Sequence, residues 1–201
     1  MYIPNRYLDT DQERVLTFMR RNSFATVVSV RDGSPVASHL PLSVSGDPGE
    51  ITIRAHFAKA NPHWQVVIES ECMIIFTGPH TYISPKLYDR HESVPTWNYV
   101  SVHAYGTARL TDDAETLAGL HGLFEQNDGA YREQWDSLSD AYREGMLRGI
   151  VGFEVRVTRV EGAAKLSQNR TASEQVRIAD HLLASNEQSE RETGAEMKER
   201  M

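Results

Sequence analysis

The residues best suited to chemistry in this 201-residue chain lie in one run, Arg54-Ala55-His56-Phe57-Ala58-Lys59-Ala60-Asn61-Pro62-His63-Trp64. Lys59 stands two residues before Asn61-Pro62, which reads as a helix cap followed by proline in the first turn. Free amides at a helix start, together with the positive end of its dipole, favour an anion. A phosphate-bearing ligand fits such a place. A plain cap with a solvated lysine accounts for the same residues. Two further segments are polar beside strand-like runs. Pro95-Thr96-Trp97-Asn98-Tyr99 sets an aromatic plane next to an amide, which can stack on a flat ring and hydrogen-bond its edge. Lys165-Leu166-Ser167-Gln168-Asn169-Arg170 brings two cations and three neutral hydrogen-bonding side chains together. Trp97 as a core or interface anchor, and 165–170 as a solvated turn, are the structural alternatives.

Other chemistries find little footing. Eight histidines are present, yet none has metal-ligand spacing and the single cysteine cannot build a thiolate site. His39, His56 and His103 fall on the polar sides of strand-like runs, where histidines hydrogen-bond or touch ligands more readily than they bind metal. Cys72 lies in an apolar run, the setting of an inert packing thiol. No Gly-x-Ser-x-Gly elbow and no nucleotide-binding glycine motif occurs.

These residues must be carried by short strands. A helix over about 11–21 has Val15, Leu16, Phe18 and Met19 as its apolar positions. Phe24–Val30 and Val36–Val44 read as strands around the hairpin signal Asp32-Gly33. Ile51–Phe57 alternates, with Thr52, Arg54 and His56 opposite the apolar face. A short helix is expected from Asn61-Pro62 through Ile68, then a strand over Cys72–Phe76 closed by Gly78-Pro79. Residues 84–96 read as loop, Trp97–Leu110 as a long strand, 112–147 as two helices broken near Asn127-Asp128-Gly129, Ile150–Val160 as the last strand, and Ser173–Leu183 as a final helix. About six strands joined by turns predict a mainly β, α+β domain whose antiparallel sheet can close as a small barrel, with a helical insertion before the last strand. One domain over 1–186, followed by a frayed polar tail at 187–201, is the expected organisation.

Composition narrows the class. The net charge is −7, and residues 111–147 alone carry nine acids against two bases, whereas residues 1–110 balance at ten of each. The insertion is therefore a poor surface for nucleic acid, and the acidity says little about Lys59. No apolar run approaches a membrane span, the N-terminal residues lack a signal-peptide core, and one cysteine suits a reducing compartment. A cytoplasmic protein, off the membrane, is expected.

The motifs occur in an order that identifies a family. His39-Leu40-Pro41-Leu42 is followed by Ala58-Lys59-Ala60-Asn61-Pro62-His63-Trp64 and by Phe76-Thr77-Gly78-Pro79-His80-Thr81-Tyr82-Ile83-Ser84-Pro85. Val94-Pro95-Thr96-Trp97-Asn98-Tyr99, His103 and Lys165-Leu166-Ser167-Gln168-Asn169 complete the set. The chain resembles the PaiB-type FMN-binding negative transcriptional regulators, from about Tyr2 to the final helix. It departs from their pattern at Lys86-Leu87-Tyr88, in place of Ser-Trp-Tyr, and at Ala163, in place of a lysine that would add a cation near the ligand.

The resemblance implies an FMN-binding split β-barrel, six-stranded and antiparallel, working as a homodimer with FMN at the subunit interface. It implies that the phosphate meets Lys59 and Arg54 beside Asn61 and Pro62, with His56 nearby. The strand around His39 and Leu40 would run along the flavin, and Trp97, Asn98, Lys165, Ser167 and Gln168 would complete the pocket. Repression of transcription is the implied function. DNA contact rests on that resemblance alone, since no helix-turn-helix pattern is legible. The alternative is a flavin-dependent oxidoreductase acting on a small molecule with NAD(P)H, with His56, His103 or Tyr99 as proton donors. A flavin sensor with a protein partner is a third reading.

Overall fold

In the computed structural model, which describes residues 1–201, the alternating apolar runs form eight strands. They are β1 (Leu8–Asp9), β2 (Phe24–Arg31), β3 (Ser34–Pro41), β4 (Ser43–Ser45), β5 (Thr52–Ala58), β6 (Glu71–Ile83), β7 (Thr96–Leu110) and β8 (Ile150–Lys165). The helices are α1 (Gln12–Arg21), α2 (His63–Val66), α3 (Asp113–Asn127), α4 (Tyr131–Ser137), α5 (Asp140–Arg148), α6 (Ala172–Leu183) and α7 (Gln188–Glu199). One sheet runs in the order β3-β2-β6-β7-β8-β5-β4, with β1 beside β8, and its resolved registers are antiparallel. The antiparallel α+β class expected from strand spacing is thus observed. Two more strands than expected come from the very short β1 and β4, which carry too few residues to show a period.

Asp32 and Gly33 both adopt left-handed backbone, φ +51° and +76°. That is the two-residue turn whose twist suits a hairpin, and it sets the β2–β3 register from Phe24↔Pro41 to Arg31↔Ser34.

The chain forms two compact units, through both of which β6, β7 and β8 run. The first comprises Gln12–Phe76 and His103–Val160. Its core includes Leu16, Met19, Val27, Leu42, Ile53, Ile74 and Phe57, the last stacked on Phe153 at 4.7 Å. Helix α3 lies against β4 and β5 and opens with a capping box between Asp112 and Glu115. Arg109 grips Glu115 with two hydrogen bonds of 2.9 and 2.7 Å and reaches Glu154 at 2.9 Å, while Arg54 pairs with Glu154 at 2.5 Å. Four charges from β5, β7, β8 and α3 therefore tie the insertion down. The insertion has three helices where two were expected. Ser139 caps α5 by accepting from the Tyr142 N–H and so breaks the second helix in two.

The second unit comprises Met1–Asp11, Thr77–Val102 and Glu161–Met201. Here β6 continues past Gly78-Pro79, where a strand end was expected. Beyond the β2 pairing, which ends at Ile75, the backbone of His80 is served instead by the Ser189 hydroxyl. That leaves room for a proline lacking its N–H. The stretch from Glu187, expected to fray, is helix α7. Thr193 and Met197 are buried, and Gly194 lets the helix approach Leu182 and Ala179 of α6. Arg200 forms a shielded ion pair with Asp9, and Lys198 meets Asp180 at 2.7 Å.

Candidate functional site

Within the first unit, the end of β5 and the start of α2 make a tightly bonded turn. The Lys59 N–H donates to the Gly149 carbonyl at 2.8 Å, and the Asn61 N–H to the Ala58 carbonyl at 2.8 Å. The Trp64 indole N–H donates to the Lys59 carbonyl at 3.2 Å, and Asn61 Oδ1 accepts the His63 N–H at 3.1 Å. Asn61 thus caps the turn, with Pro62 in helical backbone after it. The helix is a single turn, shorter than expected, because Val66-Val67-Ile68 is a β-branched run that extends a helix poorly. A single turn has little dipole, so attraction for an anion falls on Lys59 itself. Lys59 is exposed and has no carboxylate partner.

The neighbouring expected residues are differently placed. Arg54 is occupied by Glu154. His56 faces a small cavity beneath α3, shared with Arg54, Thr111, Glu115 and Thr116, and burial lowers its pKa below 6.5. On the edge strand β3, His39 is exposed, stacked near Phe24 at 6.4 Å and bonded through Nδ1 to Thr26 Oγ1 at 2.9 Å. Leu40 is half-buried opposite Ala25. Cys72 is buried, which pushes its thiol up to about 11.

The second unit gathers the other five residues. Trp97 is 54% exposed, with Tyr82 edge-on at 6.3 Å and His80 tilted at 6.2 Å, and it offers an open aromatic face. Its neighbour Asn98 is fully buried. It accepts from the Ser167 hydroxyl at 3.1 Å and donates to Met197 Sδ at 3.4 Å. Ser167 itself is buried and left-handed, φ +66°. Gln168 closes its own turn, accepting from the Leu166 N–H at 2.7 Å and donating to the Ala164 carbonyl at 2.5 Å. Lys165 donates to Thr96 Oγ1 at 2.5 Å. Asn98, Ser167 and Gln168 are thus engaged within the fold, and Trp97 presents the free surface. The two departures from the family pattern are also built in. Ala163 is buried opposite Leu8 of β1, and at Lys86-Leu87 the Lys86 N–H donates to Ser84 Oγ at 3.3 Å while the Leu87 carbonyl accepts from Arg177 at 3.1 Å.

Sequence reasoning gave His63 no role of its own and passed over Ser38 and Ser29, which lie behind the Lys59 turn. The available signal was two serines at inward positions of β2 and β3, where apolar residues alternate. Such hydroxyls need a buried partner.

The antiparallel α+β sheet has the fold of the split-barrel class. Residues 1–159 match the family described as "Putative FMN-binding domain", and the chain belongs to that family. It is 39% identical over 186 residues, 90% of this chain and 89% of the other, to protease synthase and sporulation protein PAI 2 of Bacillus subtilis (strain 168). An uncharacterized protein of Emericella nidulans is 30% identical over 67% of each chain. Among solved structures, the FAD and heme binding protein from Mycobacterium smegmatis shares the fold with a TM-score of 0.65 and 17% identity, covering 85% of this chain and 78% of that one. The flavocytochrome Anf3 from Azotobacter vinelandii aligns with a TM-score of 0.62 and 14% identity, over 79% and 69%.

Proposed function

We propose that this chain is a PaiB-like negative transcriptional regulator that binds FMN through its phosphate at Lys59 and works as a cytoplasmic homodimer. The observation that carries the cofactor half is the Lys59 turn. Its backbone is fastened by Gly149, Ala58 and Trp64, while the one cation on it is left unpaired. A preorganised charge binds a phosphate without the cost of ordering a loop. FMN supplies one- or two-electron redox chemistry when bound. The chain's part is to hold the phosphate with Lys59 and to keep the turn in shape through Asn61. Arg54, committed to Glu154, is left out of this assignment.

The regulatory half rests on the 39% identity to PAI 2. Charge counts against two candidate DNA surfaces, since α7 carries four acids and two bases and the insertion is strongly acidic. No helix is long and apolar enough to cross a membrane.

Titration of the purified protein with FMN, followed by flavin fluorescence, tests the site. Replacing Lys59→Ala should weaken binding by about tenfold, the value of one charge-assisted contact. An unchanged affinity would sink the assignment. In a second arm, promoter DNA should be retarded in a salt-dependent way that scrambled DNA does not reproduce. Oxidation of NAD(P)H by the FMN-loaded protein, without retardation, would favour the oxidoreductase reading instead. Light scattering at twice the 22.7 kDa chain mass is the expected result for the dimer.

A further inference from the structure

Two serines occupy places where their strands otherwise turn apolar side chains inward. Along β2 these are Ala25, Val27 and Ser29, and along β3 Val36, Ser38 and Leu40. Ser29 is 2% exposed, and a hydroxyl so placed must find a partner. Both serines find the same one. His63 Nε2 lies 3.1 Å from Ser29 Oγ and Nδ1 lies 2.9 Å from Ser38 Oγ. The imidazole is 1% exposed and rests against the Phe57 ring at 5.1 Å. Burial first, then the charge of Arg31, hold its pKa below 6.5, so the ring is neutral at pH 7 and donates from one nitrogen only.

Ser38 is the junction of the cluster. Its hydroxyl also accepts from Asn61 Nδ2 at 3.1 Å, while Asn61 Oδ1 accepts from the His63 N–H at 3.1 Å. A backbone N–H can only donate, so Oδ1 must face it and Nδ2 is left for the hydroxyl. The hydrogen bonds therefore close a ring from the His63 imidazole through Ser38 and Asn61 to the His63 backbone. Every polar atom in that ring is committed, and none reaches Lys59 directly.

We propose that His63 is the positioning residue of the anion site. By clamping Ser38 it fixes Asn61, and so holds the Ala58–His63 turn in the shape that presents Lys59 to a phosphate monoester. This rests on the Lys59 reading and extends it. The site distinguishes FMN from riboflavin, the same ring and chain without the phosphate, and His63 sustains that distinction without touching the ligand.

The test compares Kd values for FMN and riboflavin on the full chain, with thermal melting to verify folding. Ser38→Ala removes the junction at a half-buried position and should weaken FMN binding by about tenfold, the effect of losing one positioned contact, while leaving riboflavin unchanged. His63→Ala should do the same. His63→Gln, which keeps one donor and one acceptor, should restore most of the FMN preference. If His63→Ala fails to fold, Ser38→Ala and His63→Gln still decide the matter. Equal weakening of both ligands would show mere loosening of the fold and overturn the proposal. So would an unchanged FMN-to-riboflavin ratio in Ser38→Ala while Lys59→Ala lowers that ratio. If Lys59→Ala leaves the ratio intact, the phosphate reading itself fails, and the positioning role falls with it.

Discussion

At the scale of single residues, neighbours in the chain take opposite parts. Trp97 and Asn98 read together as a ring-binding pair, yet the strand pleat sends them to opposite faces. Trp97 is exposed, while Asn98 is sealed between Ser167 and Met197. Residue type alone could not reveal this, because an amide that bonds a ligand and one that bonds a buried hydroxyl look alike in sequence. Asn98→Ala should therefore cost about 1–3 kcal/mol, since it strands the Ser167 hydroxyl in the interior. Trp97→Ala should stay within about 0.5 kcal/mol, as surface changes do. Urea denaturation of the two variants measures the contrast. Equal stabilities would mean that Asn98 is not the buried anchor described. The turn after Lys59 was legible for the opposite reason: Asn61-Pro62 dictates a local geometry by itself. Its support from Ser38 and His63 joins residues 25 apart, and only the register of β3 brings them together.

Elements with a clean period were legible and those held by specific contacts were not. The β5 alternation and the Asp32-Gly33 hairpin follow from spacing and turn chemistry, and both are observed. Helix α7 shows the converse. Its stretch is polar, its one large apolar residue on the packed face is Met197, and Gly194 looks like a breaker until α6 is seen against it. What secures it is tertiary: the Ser189 bond to His80, the Asn98 contact and the Arg200–Asp9 pair. Truncation after Ser185 should thus destabilise the protein by at least the roughly 2–5 kcal/mol of an emptied core methionine site. Removal of a frayed tail would be silent. A melting curve unchanged by the truncation would contradict the packing of α7.

Over the whole molecule, proton linkage ties these parts to pH. Burial lowers the pKa values of His56 and His63, and of the more open His121, below the ordinary 6.5. Between the lowered values and 6.5 the unfolded chain binds more protons than the folded one, so stability rises with pH there. The stabilisation is complete above about 6.5 and is lost as pH falls below it. A second loss follows at lower pH. Arg109 first, then the backbone N–H of Asp112, hold Glu115 down at about 2, and backbone N–H groups at Asp89 and Thr171 lower Glu174. Each carboxylate stabilises above its unfolded pKa, near 4.5, and that contribution goes as protonation proceeds toward the folded value. The melting temperature should therefore be level from pH 8 to 7, fall from about pH 6.5 to 5, and fall again below about pH 4.5. His63→Gln carries no titrating ring and should make the first fall shallower. A flat profile from pH 8 to 5 in the parent chain would remove the buried-histidine account.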